Sequence, residues 1–495
     1  MAIRLANADI QRRAHRFARA LDAAGVPQRG VVVALLPNVP EFLFALRGAT
    51  WSGRTFVPVN WHLADPDIEY IVGDCGADAL LVHASFESIA PACAQASGAG
   101  VKMSVGGSLE GFGSFEDLDR FDDHELSEPL AGTIMLYTSG TTGRPKGVRP
   151  RDPGNERPPC FASRMGSMMI ETYLQDSASG AHLIAAPLYH AAPSTYGEGA
   201  ALIGADVVLM ERWDAEEFLR IVEREQIIST FLVPTHFVRL LQLPEDVRQK
   251  YDTSSLELVC HGAAPVAPDI KRRMIEWWGP VLFEFYGGTE GGGVSIDSHT
   301  WLAHPGSVGK PRPGLEVHIL DADGASLPPG ETGDIYFRSP EGSFEYKGDP
   351  EKTASAYRGD LYTLGDIGYV DDEGFLYLRD RKADTIIRGG VNIYPAQIEA
   401  ILIEDDDVRD CCVVGVPDEA YGEVVVAVIE MMEGADAAPE LIERLRARCA
   451  ERLARDQQPV EYAIWPNLPR TESGKLLRRE VRDTLRASLD GVGSA

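Results

Sequence analysis

Several things that would quickly assign a chain to a class are missing here. Apolar runs such as Val424–Val428 fall far short of the roughly 18 residues that a spanning helix needs, so no membrane span is expected. Cationic residues are scarce: 47 Lys and Arg against 75 Asp and Glu leave a formal net charge of −28. Such a field repels nucleic acid and anionic membranes, and neither is expected as a partner. Any anionic ligand must therefore be held by local basic residues. The seven cysteines form no CxxC pair and no zinc-ligand spacing, Cys411 and Cys412 being merely adjacent. This thiol usage suits a reducing cytoplasm, the expected location. No repeat period is visible, and no GxxxxGK[ST] loop occurs.

What is present describes a globular protein of more than one domain. At 495 residues with 44% hydrophobic content, the chain exceeds what one core usually supports. Up to about residue 84 a helix alternates with short apolar strands (Val31–Leu36, near Phe56, Ala79–Val82), the pattern of a mainly parallel sheet covered by helices. The first helix carries five arginines by Arg19 and resembles a transit peptide in composition. Ile10, Phe17 and Leu21 share one helical face, however, and the helix runs into a buried-strand pattern, which favours an integral element. A Gly-rich, acidic stretch from Gly106 to Leu130 reads as a linker between subdomains. After Gly306 short alternating strands between Gly, Pro and Asp turns predict a small antiparallel β subdomain. A turn-like segment at Asp380–Asp384 separates it from a final run of mixed helix and strand.

Chemistry is signalled first by Leu136-Tyr-Thr-Ser-Gly-Thr-Thr-Gly-Arg-Pro-Lys-Gly-Val148. Glycines and small hydroxyl residues let successive backbone N–H groups converge on an anion, and a lysine adds a point charge. Phe285-Tyr-Gly-Gly-Thr-Glu-Gly291 sets an aromatic face, a hydroxyl and a carboxylate beside glycines, suited to a base, a phosphate oxygen and a hard cation such as Mg²⁺. In Tyr362-Thr-Leu-Gly-Asp366 the aspartate could accept bonds from both ribose hydroxyls, and Arg381 could lie near the same sugar. Leu468-Pro-Arg-Thr-Glu-Ser-Gly-Lys475 presents a lysine on a glycine-bearing loop. Each segment alone also reads as an ordinary turn or surface loop.

Together, and with Asp380-Arg-Lys-Ala-Asp-Thr-Ile-Ile-Arg-Gly-Gly-Val-Asn-Ile-Tyr-Pro-Ala-Gln-Ile-Glu399, these segments resemble the adenylate-forming superfamily of acyl-CoA synthetases, adenylation domains and beetle luciferases. The resemblance implies an α/β fold: a large N-terminal α/β domain over residues 1–380 with mainly parallel sheets and a small β subdomain, and a small mobile α+β C-terminal domain over 381–495. It implies ATP and coenzyme A as co-substrates, Mg²⁺ as cofactor, and an AMP-forming acid–thiol ligase. By position, Thr138, Ser139, Gly140, Thr141, Thr142, Gly143 and Lys146 would wrap the β- and γ-phosphates, with Thr138 and Glu290 toward the metal. Tyr286 would stack on adenine beside Gly262-Ala263-Ala264-Pro265, Thr289 would touch the α-phosphate, and Asp366 and Arg381 would hold the ribose. Lys475 would reach the acid and the α-phosphate. Arg388, Gly389, Gly390 and Val391 would form the coenzyme A tunnel, the glycines letting a narrow chain pass.

In the family the hinge two residues after the ribose arginine is usually Asp or Lys; here it is Ala383. The acid pocket would involve the segment holding His190, then Thr235, His236, the segment His261–Ala264, Gly287 and Gly288. The small residues of Gly197–Gly204 would leave it wide, and no Lys or Arg lies in these segments, which favours a medium, long or cyclic apolar acid, steroid side-chain acids included. Loading of a carrier protein, luciferase-type oxidation and a non-catalytic nucleotide-binding regulator are the alternative outcomes, and a homodimer is compatible with all of them.

Overall fold

The structure is a computed structural model and describes residues 2–138, 144–151, 159–174, 180–339, 344–405, 407–418, 420–432, 435, 439–470 and 476–492. Two sheets dominate the first half. One has six parallel strands in the order Gly113–Ser114, Val101–Val105, Ala79–His83, Val31–Leu35, Thr55–Pro58, Thr133–Ile134. The other has eight, with five parallel strands (Asp206–Met210, Ala181–Ile184, Ile227–Leu232, Leu258–His261, Leu282–Gly288) flanked by antiparallel Ala2–Leu5 on one side and by Gly291–Asp297 and Lys310–Pro311 on the other. The central strands read as unbroken apolar runs because helices cover both faces. Helices Asn7–Ala23 and Pro40–Trp51 share one core with Ile184 and Val207 of the second sheet and with Leu188 just beyond its strand Ala181–Ile184. The arginine-bearing first helix is integral: Ile10, Phe17 and Leu21 are fully buried.

Its arginines have a structural use. Arg13 and Arg16 pair with Asp119, and Arg19 donates to the carbonyls of Asp122, His124 and Glu125. The stretch from Gly106 to Leu130 is therefore no free linker. It is docked on the first helix, with Leu118 buried and the Phe115 ring 5.4 Å from that of Phe17.

A second expectation fails for a similar reason. The glycines of helix Ala191–Leu202 do not widen a pocket; they let other groups in. A Cβ on Gly199 would meet the backbone of Gly166 at 2.5 Å in helix Phe161–Tyr173, and one on Gly197 would meet Ile184 at 2.4 Å. Gly199→Val is expected to cost about 1–3 kcal/mol by overpacking, read as a lower denaturant midpoint at unchanged slope. Beside these glycines the carboxylate of Glu198 is gripped by Arg47 through bonds of 2.8 and 3.0 Å, both side chains being 1% exposed.

After the second sheet come the antiparallel strands Glu316–Leu320, Gly333–Arg338, Leu361–Val370 and Leu376–Arg381, as the turn spacing predicts. A three-stranded sheet joins Leu136–Thr138, Lys146–Pro150 and Phe344–Tyr346. From Ile386 onward a separate sheet (Ile386–Arg388, Val391–Ile393, Val408–Asp418, Gly422–Met431, Glu461–Trp465) packs with Pro395–Leu402 and Pro439–Arg452, and its two hydrophobic clusters contain no residue before Ile386. No helix among the described residues is long and apolar enough to cross a membrane.

Candidate active site

A groove runs along the C-terminal ends of the parallel strands and beneath residues 396–486, which is where open α/β sheets hold ligands. Its centre is a polar cluster built by strand register. Tyr286 ends the strand Leu282–Gly288, and its hydroxyl donates to Asp366 Oδ2 at 2.6 Å. Arg381 lies opposite Asp366 in the antiparallel pair, with Nε 3.2 Å from Oδ1. Burial pushes the Asp366 carboxyl up, while Arg381 and the Tyr286 hydroxyl pull it down. The strand turns at Gly287–Glu290 through Gly291, Gly292 and Gly293, whose φ values of 139, 103 and 129° only glycine adopts freely. Buried Tyr362 supports that turn, accepting a bond from the Gly292 N–H at 3.0 Å.

Glu290 Oε1 accepts a bond from the Tyr346 hydroxyl at 2.9 Å, and no bond engages Oε2 among the described residues. Hard oxygen donors on Glu290 and Thr138, both lining the groove, fit a magnesium ion. Thr138 pairs in register with Lys146 across the strand pair, which brings the two ends of the glycine- and hydroxyl-rich segment together. Lys146 Nζ lies 3.2 Å from Asp349. Ser139, Gly140, Thr141, Thr142, Gly143 and Lys475 lie outside the described residues. Gly262 and Ala263 follow the strand Leu258–His261: a Cβ on Gly262 would meet the Phe285 carbonyl at 2.6 Å, and Ala263 has φ 70°, uncommon for a residue with a Cβ. Ala264, Pro265, Gly288 and Thr289 line the same groove.

The apolar end differs from the expectation. Tyr196, Phe231 and Phe285 form an aromatic wall, their ring centroids 5.5–5.9 Å apart, joined by Met165 and Ala192 along the groove. Sequence reading missed this wall because its members come from separate segments, although each aromatic stands near the end of a strand or on the helix Ala191–Leu202. Strand alternation puts Cys260 with the wall and turns His261 to the opposite face, where it is fully buried beside Phe237 and the Lys271–Glu284 pair. His190 immediately precedes helix Ala191–Leu202 without a side-chain cap bond and lines the groove, its ring 4.4 Å from that of Tyr189. His236 stacks on Trp213 with centroids 3.7 Å apart, and burial holds its pKa down at about 3, so it is neutral. Thr235 precedes it in the first turn of Pro234–Leu241 and also lines the groove.

Arg388, Gly389, Gly390 and Val391 are not brought to the groove. They form the turn between two strands, where Gly389 and Gly390 adopt φ 58 and 85°, and Arg388 donates to the Asp456 carbonyl at 2.7 Å. The glycines serve the turn here. Ala383 is exposed between two differently tied neighbours. Lys382 Nζ donates to Asp334 at 2.7 Å and its N–H to the Gly365 carbonyl, whereas Asp384 lies 3.7 Å from Arg478 and 4.0 Å from Arg482.

Asp380 reaches past that turn. Its Oδ2 accepts the Ala396 N–H at 3.0 Å in the first turn of Pro395–Leu402 and its Oδ1 accepts its neighbour's N–H at 2.7 Å. Burial raises its pKa from 3.8 to about 6, against the pull of Ala396 N–H and Arg478. Below about 6 the folded protein binds a proton that the unfolded chain binds only near 3.8, so this group's stabilising contribution is present at low pH and is lost as pH rises through about 6. The melting temperature of the unaltered protein relative to Asp380→Asn is therefore expected to rise as pH is lowered through that window.

Residues 3–346 match the family described as AMP-binding enzyme, and residues 397–475 match the AMP-binding enzyme C-terminal domain. The chain is 34% identical over 485 residues to feruloyl-CoA synthase from an Amycolatopsis species, covering 97% of this chain and 93% of that protein. It is 29% identical over 496 residues to the long-chain-fatty-acid–CoA ligase FadD13 of Mycobacterium tuberculosis, covering 98% and 94%. The solved structure of the amide bond synthetase McbA from Marinactinospora thermotolerans superposes with a TM-score of 0.83 at 28% identity, over 96% of this chain and 94% of that one. The chain belongs to the AMP-binding enzyme family, within the adenylate-forming superfamily, and is of its AMP-forming acyl-CoA synthetase type.

Proposed function

We propose that the protein joins a medium, long or cyclic apolar carboxylic acid to coenzyme A. A carboxylate oxygen attacks the α-phosphorus of ATP, giving acyl-AMP and pyrophosphate. The coenzyme A thiol then attacks the acyl carbon, and AMP leaves. The observation that carries the reading is the convergence of Tyr286, Asp366 and Arg381 on one groove with Glu290 and Thr138, Lys146 standing in register with Thr138 on the next strand. In this reading Asp366 and Arg381 hold the ribose and Tyr286 offers its ring to adenine beside Gly262–Pro265. Thr289 contacts the α-phosphate, and residues 138–146 hold the β- and γ-phosphates. Magnesium, held by Glu290 and Thr138, supplies positive charge where the phosphoryl oxygens gain negative charge. Lys475 adds a mobile cation there.

The aromatic wall supports an apolar acid; a flat ring or an alkyl chain can lie against Tyr196, Phe231 and Phe285. The resemblance of the whole chain both to a feruloyl-CoA synthase and to a fatty-acid ligase is consistent with either. The chain divides near 380/381 into a large and a small domain, as the separate clusters after Ile386 suggest, and swivels about Ala383. That motion would bring Arg388–Val391 to the pantetheine path, in the cytoplasm, where ATP and coenzyme A are abundant.

The test is pyrophosphate release over a panel of fatty, aryl and steroid side-chain acids, followed by thioester assay with free coenzyme A. Release that needs both ATP and an apolar acid, with thioester that needs coenzyme A, is the expected result. Release without any need for acid, or product formed only with a carrier protein or an amine, would remove the proposal.

A further inference from the structure

We propose that Lys352 is a second cation for the triphosphate of ATP, working opposite Lys146 across Asp349. The inference rests on the ATP-site reading above and adds to it a residue outside the phosphate-loop segment.

Asp349 is used twice. One oxygen accepts the backbone N–H of Lys352 at 2.9 Å and starts the short helix Pro350–Ser355, while the other lies 3.2 Å from Lys146 Nζ. Lys146 thus shares its charge with a protein carboxylate. A magnesium-bound triphosphate still carries net negative charge, and in a chain of net charge −28 that charge must be answered locally. Lys352 is placed to do so. Its Nζ sits 4.2 Å from the centroid of the Tyr346 ring, and the hydroxyl of that ring donates to Glu290.

The Lys352 ammonium makes no hydrogen bond or ion pair among the described residues, although it lines the groove with Glu290 and Thr138 and feels the charges of Glu290, Asp349 and Lys146. Among the described residues this half-buried ammonium is engaged by the face of the Tyr346 ring, which leaves its N–H donors open to a ligand. Three polyphosphate oxygens offer the partners that the protein withholds. Residues 344–346 pair with the strand Lys146–Pro150, and the helix Pro350–Ser355 that carries Lys352 follows them closely in the chain.

The experiment compares the unaltered protein with Lys352→Ala, Lys352→Gln and Lys352→Arg by calorimetric titration. The titrants are a non-hydrolysable ATP analogue with Mg²⁺, pyrophosphate and AMP. The Ala and Gln variants are expected to bind the analogue and pyrophosphate about 10- to 100-fold more weakly, the range of one hydrogen bond to a charged group. AMP affinity should stay unchanged, because AMP lacks the β- and γ-phosphates, and Lys352→Arg should recover most of the loss.

Equal weakening of AMP and of the analogue would mean that Lys352 merely props Tyr346 and Glu290, and would overturn the proposal. So would unchanged binding of all three. If the unaltered protein binds neither AMP nor the analogue, the ATP-site reading itself falls; if it binds both and the variants match it, only the role of Lys352 falls.

Discussion

A Lys475→Ala variant is expected to form acyl-AMP about 10²- to 10³-fold more slowly, the usual loss when one charge-stabilising donor is removed. It should still turn supplied acyl-AMP and coenzyme A into thioester at close to the unaltered rate. The acid carboxylate and the triphosphate repel each other, and attack adds negative charge to the α-phosphoryl oxygens, which a cation at Lys475 would stabilise; in the two-orientation reading that lysine is turned away from the site during the second step. Thiol attack needs a good leaving group and some thiolate, and a thiol with a pKa of about 8.5 supplies the latter near neutrality. Lys475 lies outside the described residues, but Arg470 and Leu476, which pair across its loop, both line the groove. Pyrophosphate release measures the first step and thioester formation from supplied acyl-AMP the second. Equal loss in both would exclude two separate orientations of the C-terminal residues.

The largest stability effect is expected at Glu198. Glu198→Ala should lower the unfolding free energy by about 3–5 kcal/mol, because it strands the Arg47 guanidinium in the core. That charge is 1% exposed, and the residual bond from Arg47 Nη1 to Asn7 Oδ1 at 2.8 Å joins it to a neutral oxygen. Burial already raises the Glu198 carboxyl and the Arg47 charge opposes the rise, so the two groups depend on each other. Replacing both with apolar side chains of similar volume, Arg47→Met with Glu198→Leu, should recover most of the loss. Equilibrium urea unfolding of the single and double variants measures this. A single variant within about 1 kcal/mol of the unaltered protein would be incompatible with a desolvated pair.

How much of this could be read from the residues alone depended on how local the signal was. Strand Val31–Leu35, the first helix with Ile10, Phe17 and Leu21 on one face, and the antiparallel strands after Gly306 announce themselves by unbroken apolar runs, by helical periodicity or by closely spaced turns, and they stand where that reading puts them. The polar half of the site was legible for the same reason: Tyr286, Glu290 and Asp366 each sit in a short glycine-bearing segment. What was not legible depended on pairing in space. Small residues at Gly197 and Gly199 look alike in sequence whether they open a pocket or admit another helix, and only Gly166 on the facing helix decides the matter. The acidic stretch before Leu130 looks like a linker until the arginines of the first helix are seen beneath it. The side of the strand taken by His261 follows from alternation, but which side faces the groove does not. Lys352 passed unnoticed because nothing around it in sequence marks it; its setting is made by Asp349, Tyr346 and Glu290 together.

Ala383 contributes one methyl group to a place where its two neighbours are fastened to opposite bodies, Lys382 to Asp334 and Asp384 to Arg478 and Arg482. If the chain swivels there as proposed, that position has no side chain of its own to catch, and the restraint passes to its neighbours' ion pairs, of which Lys382–Asp334 has the more exposed cation and is the one that ions in the medium can loosen. The tempo of a realignment there would then answer to ionic strength through Lys382 alone, the Asp384 side being held by partly buried arginines.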